Sequence, residues 1–374
     1  MNNPFAYSNY VIGESFCNRV KELSDLMQYI KASQNILLYS HRRYGKSSLI
    51  KQAFKKIKDE KMNVGTFYVE LYGTVSEKDF ISRTFQALNQ LESNLDRLLH
   101  FFGTAAKSIK LNVSIDNHTG ATCLSPSFEP SDQKIMLEEL MGALEKYSKK
   151  RKIAIAFDEF QEIAGYTEEG FEKRIRSFIQ RHDNICYIFA GSQRRLLTEM
   201  FNSNNRAFYK MADSFPLERI QTKSYIPWVG GLFMRKNVTL SPELITEIVE
   251  RFENHPMYIQ NFLFHLWEEP GKNPISEETI GRIERRIIEK RNAEFTMLWE
   301  TLTINQKKTL KLIIKNKGAN LFSADALQSV NLKTGSLVSK ALSSLSDKDI
   351  IYKNGVHRIQ DILFRKWLEQ TLSL

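Results

Sequence analysis

Apolar residues Leu23, Leu26, Met27 and Ile30 fall on one stripe between Asn18 and Lys31, and this spacing predicts a helix lying against a sheet. The next apolar positions are contiguous. Asn35-Ile-Leu-Leu-Tyr39 is short and β-rich, and it stops at a polar, basic loop before helical periodicity resumes from Lys46 to Glu60. A second strand, Val64 to Leu71, leads into a helix from Lys78 to about Leu91. The helix Gln133 to Lys149, the apolar strand Ile153 to Phe157, the helix Glu169 to Arg181 and the strand Ile185 to Ala190 continue the alternation. Strands alternating with helices predict a parallel sheet of at least four strands, covered by helices.

Two stretches depart from this pattern. Residues 95–132 contain Leu98-Leu-His-Phe-Phe102, an alternating run Ser108 to Ile115, the turn Asp116-Asn-His-Thr-Gly120 and a further alternating run through Phe128, which predicts a β-hairpin insertion. From Ser241 to about Lys290 the pattern is helical, with Pro242 at a helix start and the breaker cluster Glu269-Pro-Gly-Lys-Asn-Pro274 between segments. The last stretch offers helices Thr303 to Asn316, Ser323 to Val330 and Lys333 to Asp347. They are followed by Ile350 to Ile359, in which Asn354-Gly355 predicts a type I′ hairpin. Three helices and a two-stranded hairpin are the order of a winged helix-turn-helix. The expected division is a core over 1–225, a helical lid over 226–290 and a winged helix over 291–374.

Composition bounds this picture without redrawing it. The chain has 374 residues, more than one hydrophobic core usually serves, and its 42% hydrophobic and 26% charged residues are those of a folded globular protein. Lysine and arginine outnumber the acids by 53 to 43, giving a formal charge of +10. That admits polyanions as partners, and it equally serves solubility. Cys17, Cys123 and Cys186 are odd in number and show no metal-ligand spacing, so neither a disulfide framework nor a zinc site is expected. No leader or membrane span is read from the apolar runs, and the expectation is a cytoplasmic protein that does not engage a membrane.

The candidate chemistry begins between the first strand and the second helix, at Ser40-His-Arg-Arg-Tyr-Gly45-Lys46-Ser47-Ser48. This fits G-x-x-x-x-G-K-[ST] except at its first position. Backbone N–H groups of such a loop surround phosphate oxygens at the positive end of a helix, a lysine reaches the β and γ phosphates, and a hydroxyl meets magnesium. Ser40, Arg42, Arg43, Tyr44, Gly45, Lys46, Ser47 and Ser48 are therefore the expected ATP-binding loop, with Ser40 lacking the conformational freedom of the usual glycine.

A second element agrees with the first. The strand Ile153-Ala-Ile-Ala-Phe157 runs into Asp158-Glu159, placing two carboxylates at its end. Asp158 is the candidate to join Ser47 in holding Mg2+. Glu159 is the candidate to orient or deprotonate an attacking water for in-line phosphoryl transfer. The strand that follows ends in Ala190-Gly191-Ser192-Gln193, where Ser192 could sense the γ-phosphate or bind the water, or simply follow a turn. Arg206, in a polar loop, is read either as an arginine offered to phosphate in cis or in trans, or as half of a structural salt bridge.

These residues resemble the archaeal-type ATPase family, a branch of the AAA+/STAND class of P-loop NTPases related to origin-recognition ATPases. Asn3-Pro-Phe5 and Phe16-Cys-Asn-Arg19-Val-Lys-Glu22-Leu are similar to its amino-terminal boxes, Ser40 to Ser48 to its loop, and Phe157-Asp-Glu-Phe-Gln161 to its acidic strand end. Phe189-Ala-Gly-Ser-Gln193, Phe208-Tyr209 and Asn254-His255-Pro256 resemble its sensor, "FY" and lid segments. The departures are Ser40, and Asn18 and Val20 where glycine and glutamate are usual. The resemblance implies an α/β P-loop NTPase core of AAA+ type with a helical lid and a winged helix. It also implies an adenine pocket near the amino-terminal box, with Arg19 and Pro256 as nucleotide-contacting residues.

Three functions remain open on the sequence: a slow magnesium-dependent ATPase acting as a switch, a nucleotide-responsive regulator that binds double-stranded DNA, and a scaffold that only retains ATP or ADP. Lys333, Thr334, Ser336, Ser339 and Lys340, with Lys353, His357 and Arg358 of the wing, could meet phosphates. Leu337, Leu342, Leu345, Ile350 and Ile351 could equally make a small core for a module that docks on protein, and a homo-oligomer is also open.

Overall fold

The structure, a computed structural model, describes residues 2–91, 110–115, 122–127, 133–269 and 275–372. It divides into two compact units. One comprises Ala6–Trp228 with Asn254–Met257, and the other Met1–Phe5, Val229–Glu253 and Tyr258–Leu374.

The first unit is built on a parallel sheet. Its strands are β1 (Ile36–Tyr39), β2 (Val64–Glu70), β5 (Lys152–Asp158), β6 (Ile185–Gly191) and β7 (Asp213–Pro216), in the spatial order β2-β5-β6-β1-β7. Strands β5 and β6 are buried along nearly their whole length, as strands covered on both faces must be. One face carries Leu37, Phe67, Val69, Ile155, Phe157, Tyr187 and Phe189, packed with α3 (Glu77–Ala87), α4 (Gln133–Ser148), α5 (Phe171–Ile179) and α6 (Arg194–Asn202). The other carries Ile36, Leu38, Tyr68, Ala154, Ala156, Ile188 and Ala190, packed with α1 (Val20–Ala32) and α2 (Lys46–Asp59). Three alanines on that face let the helix that follows the basic loop lie close to the sheet.

The fifth strand, β7, goes beyond the four strands read from the sequence. Only Phe215 is apolar in Asp213-Ser-Phe-Pro216, so no alternation announces it, and it pairs with β1 as an edge strand closed by its proline. Between α3 and α4, β3 (Lys110–Ile115) and β4 (Thr122–Ser127) form the expected antiparallel hairpin. Its turn at Asp116 to Gly120 and the run Leu98 to Phe102 lie outside the described residues.

The second unit is helical. It holds α7 (Thr222–Met234) from Val229 on and most of α9 (Pro256–Trp267), together with α8 (Pro242–Arg251) and α10 (Glu277–Lys290). Phe5 is buried there against Phe233 and Trp267, and Asn3 donates from Nδ2 to the Phe264 carbonyl. The chain continues through α11 (Asn292–Thr301), α12 (Ile304–Lys315), α13 (Ala324–Ser329), α14 (Gly335–Asp347), the hairpin β8 (Ile351–Asn354) and β9 (Val356–Ile359), and α15 (Ile362–Thr371). Thr303 and Gln306 form a reciprocal capping box at the start of α12. Leu342, Leu345, Ile350 and Ile351 are buried as expected, while Leu337 is half-buried.

The hairpin turn differs from the type I′ form that Asn354-Gly355 predicts. That form needs positive φ at both residues, and here only Gly355, at 70°, has it. The strands pair symmetrically about Gly355, with Asn354 opposite Val356, so a different turn sets the register.

Candidate functional site

The basic loop leaves the C-terminal end of β1 and enters α2 at Gly45, the N-cap residue, whose φ of 94° belongs to the left-handed region that glycine adopts without strain. Arg43 is left-handed as well, at 63°. Ser40 is not among the positive-φ residues, so the serine meets no conformational penalty where the motif has glycine. It is buried, and its hydroxyl donates to the His41 carbonyl at 2.8 Å. Arg42 and Arg43 are exposed, and Tyr44 is buried. Lys46, one residue into the helix, is only 6% exposed. Burial lowers its ammonium pKa, and the nearby charges of Asp158 and Glu159 oppose that shift.

The parallel register brings the acids to the same end of the sheet. Ser47 donates from Oγ to Asp158 Oδ2 at 2.6 Å, and the Tyr68 hydroxyl, from β2, donates to the same oxygen. Asp158 Oδ1 accepts the Glu159 N–H at 3.0 Å. Burial and the Asp158 charge raise the Tyr68 phenol pKa, which keeps it a donor. Glu159 has a φ of 53°. Its Oε2 accepts from the Ser192 N–H at 3.2 Å, from the Ser192 hydroxyl at 3.0 Å and from the Gln161 side-chain amide. Glu70, paired with Asp158 in register, has its pKa raised by burial and by that neighbour.

Several chain segments are fastened around the loop. Arg19, 3% exposed, has a left-handed backbone at the start of α1, pairs with Glu22 at 2.7 Å and donates from Nη2 to the Tyr44 carbonyl at 3.2 Å. Ser48 accepts the Val11 N–H on its hydroxyl at 3.0 Å, and Gln52 accepts that of Gly13, so residues 11–13 lie along α2. The Tyr44 ring meets His255 edge-on at 5.0 Å, and its hydroxyl accepts from Arg219 at 2.8 Å. Pro256 therefore follows a histidine in contact with the loop. Burial, aided by the positive charge of Arg219, lowers the His255 pKa to about 3. Arg206 is engaged elsewhere, in an ion pair with Glu172 of α5 at 2.7 Å.

The sequence pattern of a family described as an ATPase domain predominantly from Archaea matches residues 16–217, more than half of the chain. The chain belongs to this family. Residues 293–370 match a second family, described as a probable winged helix domain. Among solved structures, a Walker-type ATPase of Pyrococcus abyssi is similar over 98% of this chain and 99% of its own, at 16% identity and a TM-score of 0.64. The ORC2 protein of Aeropyrum pernix, in ADPNP–ADP complexes, is similar over 98% of both chains at 13% identity and a TM-score of 0.56. At such identities these likenesses speak for the fold. Comparison with curated proteins gave no match.

The chain thus joins an ATPase domain, with a P-loop between β1 and α2 of its parallel sheet, to a winged helix that follows it. Its site includes residues that the sequence pattern does not reveal. Tyr68 lies in an ordinary apolar strand, and nothing local marks its hydroxyl as a partner of Asp158. Only the pairing of β2 with β5 reveals it. Gln161 stands within the acidic strand-end motif, where spacing alone assigns it no role. Arg219 follows β7, the strand without an apolar period. No helix among the described residues is long and apolar enough to cross a membrane.

Proposed function

We propose that this ATPase works as a slow, magnesium-dependent nucleotide switch of STAND type in the cytoplasm. The observation that carries the reading is the hydrogen bond from Ser47 to Asp158 beside the buried Lys46. A hydroxyl and a carboxylate held together are hard oxygen donors, the donor chemistry that suits magnesium. Ser47 and Asp158 would hold the cation, whose charge would offset that of the phosphates when bound. N–H groups from Ser40 to Ser48 would surround the phosphates, and Lys46 would neutralise the β and γ oxygens. Arg42, Arg43 and Tyr44 line the loop in this reading. Glu159 would orient a water for in-line attack on the γ-phosphorus, breaking its bond to the bridging oxygen of ADP, with Ser192 beside it.

Arg19 and Pro256 join the nucleotide-facing set through Tyr44 and His255. Arg206, paired with Glu172, would reach a phosphate only after leaving that partner. The ORC2 structure with ADPNP and ADP supports adenine nucleotide as the ligand. The reading includes three parts, a core over 1–225, a lid over 226–290 and a winged helix over 291–374, whose partners change with the nucleotide.

A second reading is favoured by one observation. Lys333, Thr334, Ser336, Ser339 and Lys340 are all exposed at and around the start of α14, the arrangement that places phosphate donors along a recognition helix. In it the protein is a nucleotide-responsive regulator that binds double-stranded DNA. Arg358 of the wing is less available, being 3.6 Å from Glu253.

ATP binding and turnover with and without magnesium and duplex DNA test both. Lys46→Ala should abolish turnover and weaken binding by at least about tenfold, and Glu159→Gln should retain ATP without hydrolysing it. Wild-type behaviour of Lys46→Ala would overturn the switch.

A further inference from the structure

We propose that Gln161 is a positioning residue for Glu159, and that Gly191 is the residue that makes room for it. The inference rests on the reading of Glu159 as the group that orients the attacking water.

All three hydrogen bonds to the Glu159 side chain arrive at Oε2. The Gln161 amide donates from the short 3-10 helix Phe160–Gly165, and the N–H and hydroxyl of Ser192 donate from the end of β6. Among the described residues no donor reaches Oε1. A carboxylate fixed through one oxygen presents the other at a set angle, which is what orienting a water requires. The two Ser192 bonds come from one residue and leave the carboxylate free to swing about it. Gln161 approaches from a second element and removes that freedom.

Gln161 does not sit where stability alone would place it. It is 3% exposed, and its buried Oε1 has no hydrogen-bond partner among the described residues. Burying an amide oxygen without a donor is unfavourable. The position is explained by what the other end of the amide does.

Gly191 permits it. A Cβ built there would lie 2.1 Å from Gln161 Oε1, 3.2 Å from its Cδ and 2.8 Å from Leu197 Cδ1. Gly191 has no positive φ, so the backbone does not call for glycine. What calls for it is the space taken by the Gln161 side chain. The glycine of Ala190-Gly191-Ser192 and the glutamine of Asp158-Glu159-Phe160-Gln161 are two halves of one packing requirement.

The test measures steady-state ATP turnover and equilibrium binding of a fluorescent ATP analogue on the full chain. The proteins are wild type, Glu159→Gln, Gln161→Met, Gly191→Ala and the double variant Gln161→Met/Gly191→Ala. Gln161→Met conserves volume and removes the donor. It should lower kcat about 10- to 100-fold while KM and analogue affinity stay within about twofold, because the nucleotide contacts are untouched. Gly191→Ala should lower kcat similarly by displacing the same amide, and the double variant should be no worse than the worse single one. A kcat for Gln161→Met within about twofold of wild type overturns the proposal, as do losses that multiply in the double variant. If Gly191→Ala does not melt cooperatively, Gln161→Met decides alone. Wild-type turnover by Glu159→Gln would overturn the underlying role of Glu159. An inactive Glu159→Gln beside a fully active Gln161→Met overturns the positioning role only.

Discussion

His182 and His255 show what the buried sheet unit asks of single residues. His182 shares a 2.6 Å hydrogen bond with Tyr187, and its burial lowers its pKa to about 4, as burial lowers that of His255 to about 3. In the unfolded chain both would titrate near the usual value of about 6.5. As pH falls from there, the unfolded state takes up the protons first, so stability is full above about pH 6.5 and declines towards the folded values. Each imidazole adds a slope of up to about 1.4 kcal/mol per pH unit. Urea midpoints between pH 7 and 4 should fall steeply, and His182→Gln should flatten the fall. A second residue-scale prediction concerns Tyr68, whose hydroxyl is one of two donors to Asp158 Oδ2. Tyr68→Phe leaves that buried oxygen one donor short and should cost about 1–3 kcal/mol in chemical denaturation. Cys17 and Cys186 are buried, their thiol pKa values pushed up to about 12, which makes both poor nucleophiles.

At the scale of elements, the winged helix is joined to its hairpin at one crowded point. Gly318 ends the helix α12 with a φ of 78°, donates to the Ile313 carbonyl and accepts from the His357 N–H of β9 at 3.2 Å. A Cβ there would fall 1.9 Å from the His357 carbonyl oxygen. Gly318→Ala should therefore cost roughly 2–4 kcal/mol, from the left-handed backbone and the overpacking together. Circular dichroism melting would register it. The element scale also shows what the sequence could disclose. β1, β2, β5 and β6 announce themselves as short apolar runs because both their faces are buried, and the loop after β1 has its own spacing. β7 could not be read, since one apolar residue in four carries no period. α15 has buried Leu363, Phe364, Trp367 and Leu368 and a good Asp361 cap, yet it follows the hairpin so directly that no breaker in the sequence sets it apart. The acids at Asp158 and Glu159 are legible as a strand end. The three donors that converge on Glu159 Oε2 are not, because they come from two elements whose proximity is set by the sheet.

At the scale of the whole molecule, the charge of +10 bears on partners. If α14 meets duplex DNA, affinity must fall steeply with salt, and reversing Lys333 and Lys340 should reduce the slope of log Kd against log salt by about 0.9 for each phosphate no longer neutralised. A titration from low to moderate salt reads this, and affinity indifferent to both reversals would leave a protein partner as the reading for that surface. The sheet itself has a consequence for how copies of the chain behave together. Its two outer strands are β2 and β7. On β2 the Gln90 side-chain amide takes both polar groups of the Tyr68 backbone, accepting from N–H at 3.0 Å and donating to C=O at 3.1 Å, as a neighbouring strand would. On β7 there are four residues, with an aspartate at one end and a proline at the other. One side of the sheet is covered at Tyr68 by a glutamine and the other is a four-residue strand ended by a proline, and both features disfavour growth by strand addition, the usual route from a stable sheet to a fibril.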